Sequence, residues 1–366
     1  MLDRWLDVVP ADGGCDEGAG YWNMAGGALL DCLEILEQAS GGAMSLWQEE
    51  KIRNILSFPL RAEIGNGFFL NFADCDARPF LSGERVETAG RLIGDPALEA
   101  LGRRLRGPLA AELSDVPHFS RLLKALSPAP AGASCSGGAV PASTAPDVWL
   151  PDLQVRVVRR GGWALAAKGG HNGESHNHND VGSFMLYVDG EPEIVDAGNM
   201  TYTAQTFSDR RYELWNTRSA WHNLPLIGGE EQLAGKEYAA REVQCLENGL
   251  CLELSGAYGP EAGAASFRRI LALEAGSLRV SDRILLSRPA PVTWVFLLRQ
   301  EPLLSENALK TKKIRLDIPD GYEVRIEEKA VTDPRMAKNW PGSLWRVLLT
   351  APPAPTQEAD WAFASL

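Results

Sequence analysis

The apolar positions of this chain change their period near its middle. Up to about residue 127 they recur at helical spacing. Leu29, Leu33 and Leu36 fall at i, i+4 and i+7, one stripe of a helix predicted between Tyr21 and Ser40. Gly41-Gly42 ends it, because glycine readily takes the left-handed conformation that closes helices. Ile52, Ile55 and Leu56 predict a second helix over Leu46–Leu56. Asp95-Pro96, a capping side chain before a first-turn proline, predicts a third running to about Arg106. A fourth is expected from Leu109 towards Leu126. Such helix pairs with short connections build α/α toroids, although these are too few to close one.

Residues 128–146, PAPAGASCSGGAVPASTAP, carry no charge and are nearly all Pro, Ala, Gly and Ser, which predicts a linker. From Asp147 short β-rich runs take over: Gln154–Val158, Trp163–Ala167, Ser183–Val188, Leu250–Leu254, Ser266–Leu273, Leu278–Leu286, Val292–Leu298 and Ser343–Thr350. With no helices between them, they predict an antiparallel β-sandwich. The fold class expected is therefore α+β and multidomain: a partial α/α toroid over 1–127, the linker, and a sandwich over 147–366. Trp163, Trp215, Trp221, Trp294 and Trp345 are expected mostly in the sandwich core.

Four of the five histidines fall between His171 and His222, two of them in Gly173-Glu174-Ser175-His176-Asn177-His178-Asn179-Asp180. On an extended segment His176 and His178 would point to one side. Asp189-Gly190 is a strong two-residue hairpin signal between Ser183–Val188 and Glu191–Asp196. Pairing Val188 with Glu191 sets Asp196 opposite Ser183 and returns a carboxylate towards the histidines. Pro192 cannot donate to a ladder, so its strand should be an edge or bulged there. His222 follows in Trp221-His222-Asn223. Two imidazoles and one carboxylate suit Zn2+, with water or a protein atom completing a tetrahedron; surface histidines in polar loops are the bland alternative. Asn177 and Asn179 are expected to hold the loop through side-chain to backbone bonds.

Composition narrows the picture. The 366 residues are 45% hydrophobic and 23% charged, ordinary globular values. A net charge of −12 lacks the basic footprint of a nucleic-acid binder. It lends no support to a polyanionic substrate either, although a local basic patch can coexist with an acidic whole. No apolar run approaches the ~20 residues of a membrane helix, and MLDRWLDVVPADGG does not look like a signal peptide. Six cysteines without a CxxC pair read as reduced thiols, which favours a cytoplasmic location.

The stretch GESHNHNDVGSFMLYVDGEPEIVDAGNMTYTAQTF, followed by RRYELWNTRSAWHNLPLIGG, resembles the heparinase II/III family of polysaccharide lyases. Asp12-Gly13-Gly14-Cys15-Asp16-Glu17-Gly18 with Tyr21-Trp22-Asn23 is similar, more weakly, to that family's segment entering a toroid helix beside the cleft. The resemblance implies a toroid packed on a sandwich, with an acidic, uronate-containing polysaccharide or oligosaccharide cleaved between them by β-elimination. It implies zinc ligands His178, Asp196 and His222, a catalytic His176 facing the cleft, and Glu17 opposite it. Where the family carries a catalytic tyrosine this chain reads Gly65-Asn66-Gly67-Phe68-Phe69-Leu70-Asn71-Phe72, so Tyr21 and Tyr202 are the candidate hydroxyls. The family also has further toroid helices before the Asp12 segment, so the chain reads as a piece of that architecture.

Other residues have two readings each. Asn23 and Glu17 suit a cleft or a helix start. Asn71, in the polar patch NFADCDAR with Asp74, suits substrate binding or loop capping. Arg211 could fork onto a substrate carboxylate or form a salt bridge, and Tyr212 could stack on a sugar. A metal-dependent hydrolase and a non-catalytic carbohydrate-binding remnant are the competing functions, and a homodimer is left open.

Overall fold

The structure is a computed structural model that describes residues 2–107, 121 and 146–366. The helical part comprises α1 (Leu2–Val8), α2 (Gly26–Ala39), α3 (Glu50–Ala62), α4 (Gly83–Ile93) and α5 (Pro96–Leu105). The predicted stripe of α2 is present, with Leu29 and Leu33 buried, but Tyr21 sits in a separate 3-10 turn, Ala19–Asn23. α3 begins later than its stripe implied and runs on to Ala62. α5 starts as expected, the Asp95 carboxylate accepting from the backbone N–H of Ala97 at 3.0 Å and Leu98 at 3.1 Å. α4 was hidden in the sequence because its packed side includes Arg85 and Glu87, which are buried as ion pairs with Asp31 and Arg106. The helical reading fails again at Glu63–Phe69, a two-stranded hairpin whose Phe68 and Phe69 are buried. The helix expected over Leu109–Leu126 and nearly all of the expected linker lie outside the described residues. No helix among the described residues is long and apolar enough to cross a membrane.

From Val148 the chain forms an antiparallel β-sandwich. Burial of its strands explains their sequence pattern. In Trp163–Lys168 every residue is buried, because Ala164 and Ala166 face the helical core while Trp163, Leu165 and Ala167 face the sandwich interior. Phe184–Val188 divides the same way: Met185 and Tyr187 towards the helices, Phe184, Leu186 and Val188 towards the interior. Ala264–Glu274 instead alternates between buried and solvated positions. The two predicted runs over residues 278–298 are one strand of 22 residues, Ser277–Leu298. Its register shifts between Leu285 and Ala290, around Pro289, which cannot donate to the ladder. Its partner, Ser343–Ser365, spans 23 residues.

The Asp189-Gly190 turn forms as expected, with both residues at positive φ (51° and 74°) and Val188 opposite Glu191. Tyr187 still faces Pro192, and at the next step the register slips, Leu186 facing Ile194, so the bulge expected from Pro192 is present. The strand is no edge: Ile194 also pairs with Leu298 on its other side. Trp163 and Trp294 are buried, whereas Trp215, Trp221 and Trp345 are only partly so.

Candidate active site and metal centre

The histidine segment is a loop, not a strand, and its two histidines do not share a side. His176 takes a positive φ of 53°, a strained conformation that costs about 1–3 kcal/mol and clusters at functional positions. Its side chain is 26% exposed, while that of His178 is fully buried. Lys168, on the strand beneath, fastens both ends of the loop. Its Nζ lies 2.9 Å from Glu174 Oε2 and 2.8 Å from Asp180 Oδ1. Burial alone would lower the lysine pKa, but those two carboxylates push it up. Arg211 closes the loop from outside, its Nη2 donating to the carbonyls of His176 and Asn177 at 3.0 Å each. Tyr212 donates to Asn177 Oδ1 at 2.7 Å. Both residues singled out for substrate are thus engaged in holding the loop.

Asp74 links the two histidines. Its Oδ2 is 3.1 Å from His176 Nδ1 and 2.8 Å from Arg211 Nη2, and its Oδ1 is 3.2 Å from His178 Nε2. Burial would raise this carboxyl, but the His178 hydrogen bond and the charges of His178 and Arg211 hold it down to about 2. Being ionised, Asp74 has no proton to give, so the shared hydrogens sit on His176 Nδ1 and His178 Nε2. That leaves His176 Nε2 and His178 Nδ1 as the ring nitrogens turned away from Asp74. Nothing in the sequence reading gave Asp74 this role; the polar patch around it was the only signal.

Asp196 reaches the site from the end of the hairpin. Its Oδ2 lies 3.0 Å from His222 Nδ1, and its Oδ1 accepts from Gly198 N–H at 2.8 Å. Gly198 is at φ 64°, and a Cβ there would lie 2.4 Å from the Cys75 carbonyl oxygen. Only glycine lets the two chain segments approach so closely. Asn223 fixes the position of His222 by donating to the carbonyls of Phe184 and Val195 and accepting from Leu297 N–H, three separate segments at once. His178, Asp196 and His222 are fully buried and offer ligand atoms within 4.8 Å of one another. His178 Nδ1 and His222 Nε2 have no hydrogen-bond partner. Buried nitrogens left unsatisfied are costly, and a cation among them would satisfy them, so the donor set fits a metal such as zinc.

On the open side, Tyr202 Oη is 3.3 Å from His176 Nδ1 and 2.6 Å from Tyr21 Oη. Burial, the Tyr21 hydrogen bond and the Asp74 charge push the Tyr202 phenol up, so it keeps its proton at neutral pH. Glu17 Oε1 lies 3.8 Å from His176 Nε2. The four residues Glu17, Tyr21, His176 and Tyr202 thus converge, two from the helical part and two from the sandwich. A cavity of about 800 Å³ opens beside Glu17 and Tyr21, with Trp5 and His171 also in its wall. Asn23 and Asn71 do not join this group. Asn23 accepts from Ser82 N–H and donates to the Phe80 carbonyl, and Asn71, fully buried, donates to the Asp196 carbonyl. The Phe68 and Phe69 region supplies no hydroxyl.

Residues 142–343, more than half of the chain, match the family model described as heparinase II/III-like, C-terminal. The chain belongs to this family. A heparinase III has the same fold at a TM-score of 0.71 and 15% identity, with 100% of this chain and 54% of that one covered. Heparan sulfate lyase HepC from Pedobacter heparinus gives 0.66 and 15%, again over 100% and 54%. Chondroitin AC lyase from Streptomyces coelicolor A3 gives 0.52 and 12%, over 99% and 56%. The chain therefore spans about half the length of these heparinase II/III-like and chondroitin lyase structures. No curated protein matches it in sequence.

Proposed function

We propose that the chain forms the catalytic cleft of a polysaccharide lyase that breaks a glycosidic bond next to a uronate by β-elimination. The observation that carries this reading is the hydrogen-bonded series Asp74–His176–Tyr202–Tyr21, with His176 Nε2 turned away from Asp74 towards Glu17. His176 Nε2 takes the proton α to the uronate carboxylate, with Asp74 holding the ring and Glu17 favouring the imidazolium that forms. As the C–H bond breaks, its electrons form the new C=C double bond and the glycosidic C–O bond opens. Tyr202 donates its phenolic proton to the leaving oxygen, and Tyr21, 2.6 Å away, can replace it.

His178, Asp196 and His222 would hold Zn2+, which would supply positive charge that fixes the histidine loop. Their complete burial leaves no route for a substrate to a metal-bound water, which speaks against the hydrolytic alternative. The substrate is an acidic glycan. The test is ultraviolet absorbance of an unsaturated uronate during incubation with a panel of uronate glycans. Absorbance lost in His176→Ala supports the proposal; products that gain water without a double bond defeat it.

A further inference from the structure

A second cavity, of about 560 Å³, lies where the Phe68–Arg78 segment of the helical part meets the sandwich, and it shares no lining residue with the cavity beside Glu17 and Tyr21. In a chain of net charge −12, four cations line it, Arg78, Arg299, Lys312 and Lys338, against two carboxylates, Glu191 and Glu301. Among the described residues, neither Arg78, Lys312 nor Lys338 is in an ion pair. Neighbouring cations are: Lys313 lies 3.2 Å from Asp189, and Arg335 lies 3.1 Å from Asp76. The site is partly preorganised. The Arg78 guanidinium rests 4.1 Å over the Phe68 ring, and Arg299 donates to the carbonyls of Ser343 at 3.0 Å and Pro341 at 2.9 Å. Half-buried Trp345 adds an aromatic wall, suited to the apolar face of a sugar ring.

We propose that this cavity is a second glycan site, which binds a carboxylate- or sulfate-bearing sugar of the chain away from the reacting bond. The proposal rests on the lyase reading for its ligand class. It also has a path to the first site. Asn339 accepts from Arg78 N–H at 3.0 Å and donates to Asp76 at 2.9 Å, and Asp76 pairs with Arg335, whose guanidinium lies 5.3 Å over the Tyr202 ring. A glycan held here would lie alongside the element that places Tyr202. Fixed cations with few competing carboxylates favour an anion most at low ionic strength.

The test is binding of fluorescently labelled glucuronate octasaccharides, sulfated and unsulfated, to the His176→Ala protein, which removes turnover from the measurement. The comparison protein adds Arg78→Ala, Lys312→Ala and Lys338→Ala, three exposed positions outside the catalytic group, with matched melting curves as the control for folding. We expect Kd to weaken by about 10–30-fold at low salt, with the gap narrowing as salt rises. Whichever octasaccharide shows the larger loss identifies the preferred anion. Equal Kd for the two proteins overturns the proposal, and so does inorganic sulfate binding as tightly as the octasaccharide. If the Kd difference appears while no glycan yields an unsaturated product, the second site stands and the lyase reading falls.

Discussion

Asp74 touches two histidines that sit two residues apart and live in different surroundings. His178 is sealed in a fully buried cluster with Asp196 and His222, whereas His176 is a quarter exposed and meets the Tyr202 hydroxyl, which Tyr21 holds from the far side. The left-handed backbone at His176 separates them. A buried cluster of charges can hold shape but is closed to a polymer, whereas a half-open imidazole can exchange a proton with one. One carboxylate orients both rings, so rigidity on the closed side becomes alignment on the open side.

The sharpest way to break this contrast is Asp196→Ala, which strips the carboxylate from a fully buried cluster. The expected loss is about 3–5 kcal/mol of folding stability, read from the denaturant midpoint. An unchanged midpoint would show that the closed side has no structural task. His176→Ala should do the converse: turnover falls about 10²–10⁴-fold while the melting temperature holds, because the substitution opens no cavity in a core and leaves the positive-φ backbone as it is. A fall in melting temperature as large as that of Asp196→Ala would erase the distinction. Adding Zn2+ to metal-free protein should stabilise it by about 2–3 kcal/mol at a hundredfold excess over Kd, seen calorimetrically. That gain should vanish in His178→Ala and persist in His176→Ala.

The smallest effect is expected at Asp333, whose carboxylate accepts from the backbone N–H of Thr201, beside Tyr202, and of Met336. Burial would raise this carboxyl, but those backbone hydrogen bonds hold it below its ordinary value. Its contribution is thus present above about pH 4 and lost as pH falls through the lower folded value. Asp333→Ala should cost about 1 kcal/mol at pH 7, typical of lost hydrogen bonds at a partly exposed carboxylate. Chemical denaturation at pH 7 and pH 3 should show the gap from the parent closing in acid; a gap that widens would reverse the assignment.

Much of this arrangement was legible because local chemistry announced it. Asp189-Gly190 dictated the turn, and the turn carried Asp196 towards His178 and His222. The strands buried on both faces were readable as apolar runs, although which face met the helices was not. Period-two logic failed at His176, since no pattern signals a non-glycine residue held at positive φ. Asp74 was unreadable as a hub because its partners come from 102 to 137 positions away, beyond any local spacing rule. Arg211 and Tyr212 had the chemistry of substrate contacts, yet the fold uses them to brace a loop. α4 escaped notice because ion pairing lets charged residues occupy its inner side.

Tyr21 and Tyr202 are separated by 181 positions and joined by one hydrogen bond. No fragment ending between them holds both hydroxyls of the proposed reaction centre. During refolding, recovery of turnover should therefore lag behind recovery of sheet content, and it would time the moment when the two halves of the molecule dock.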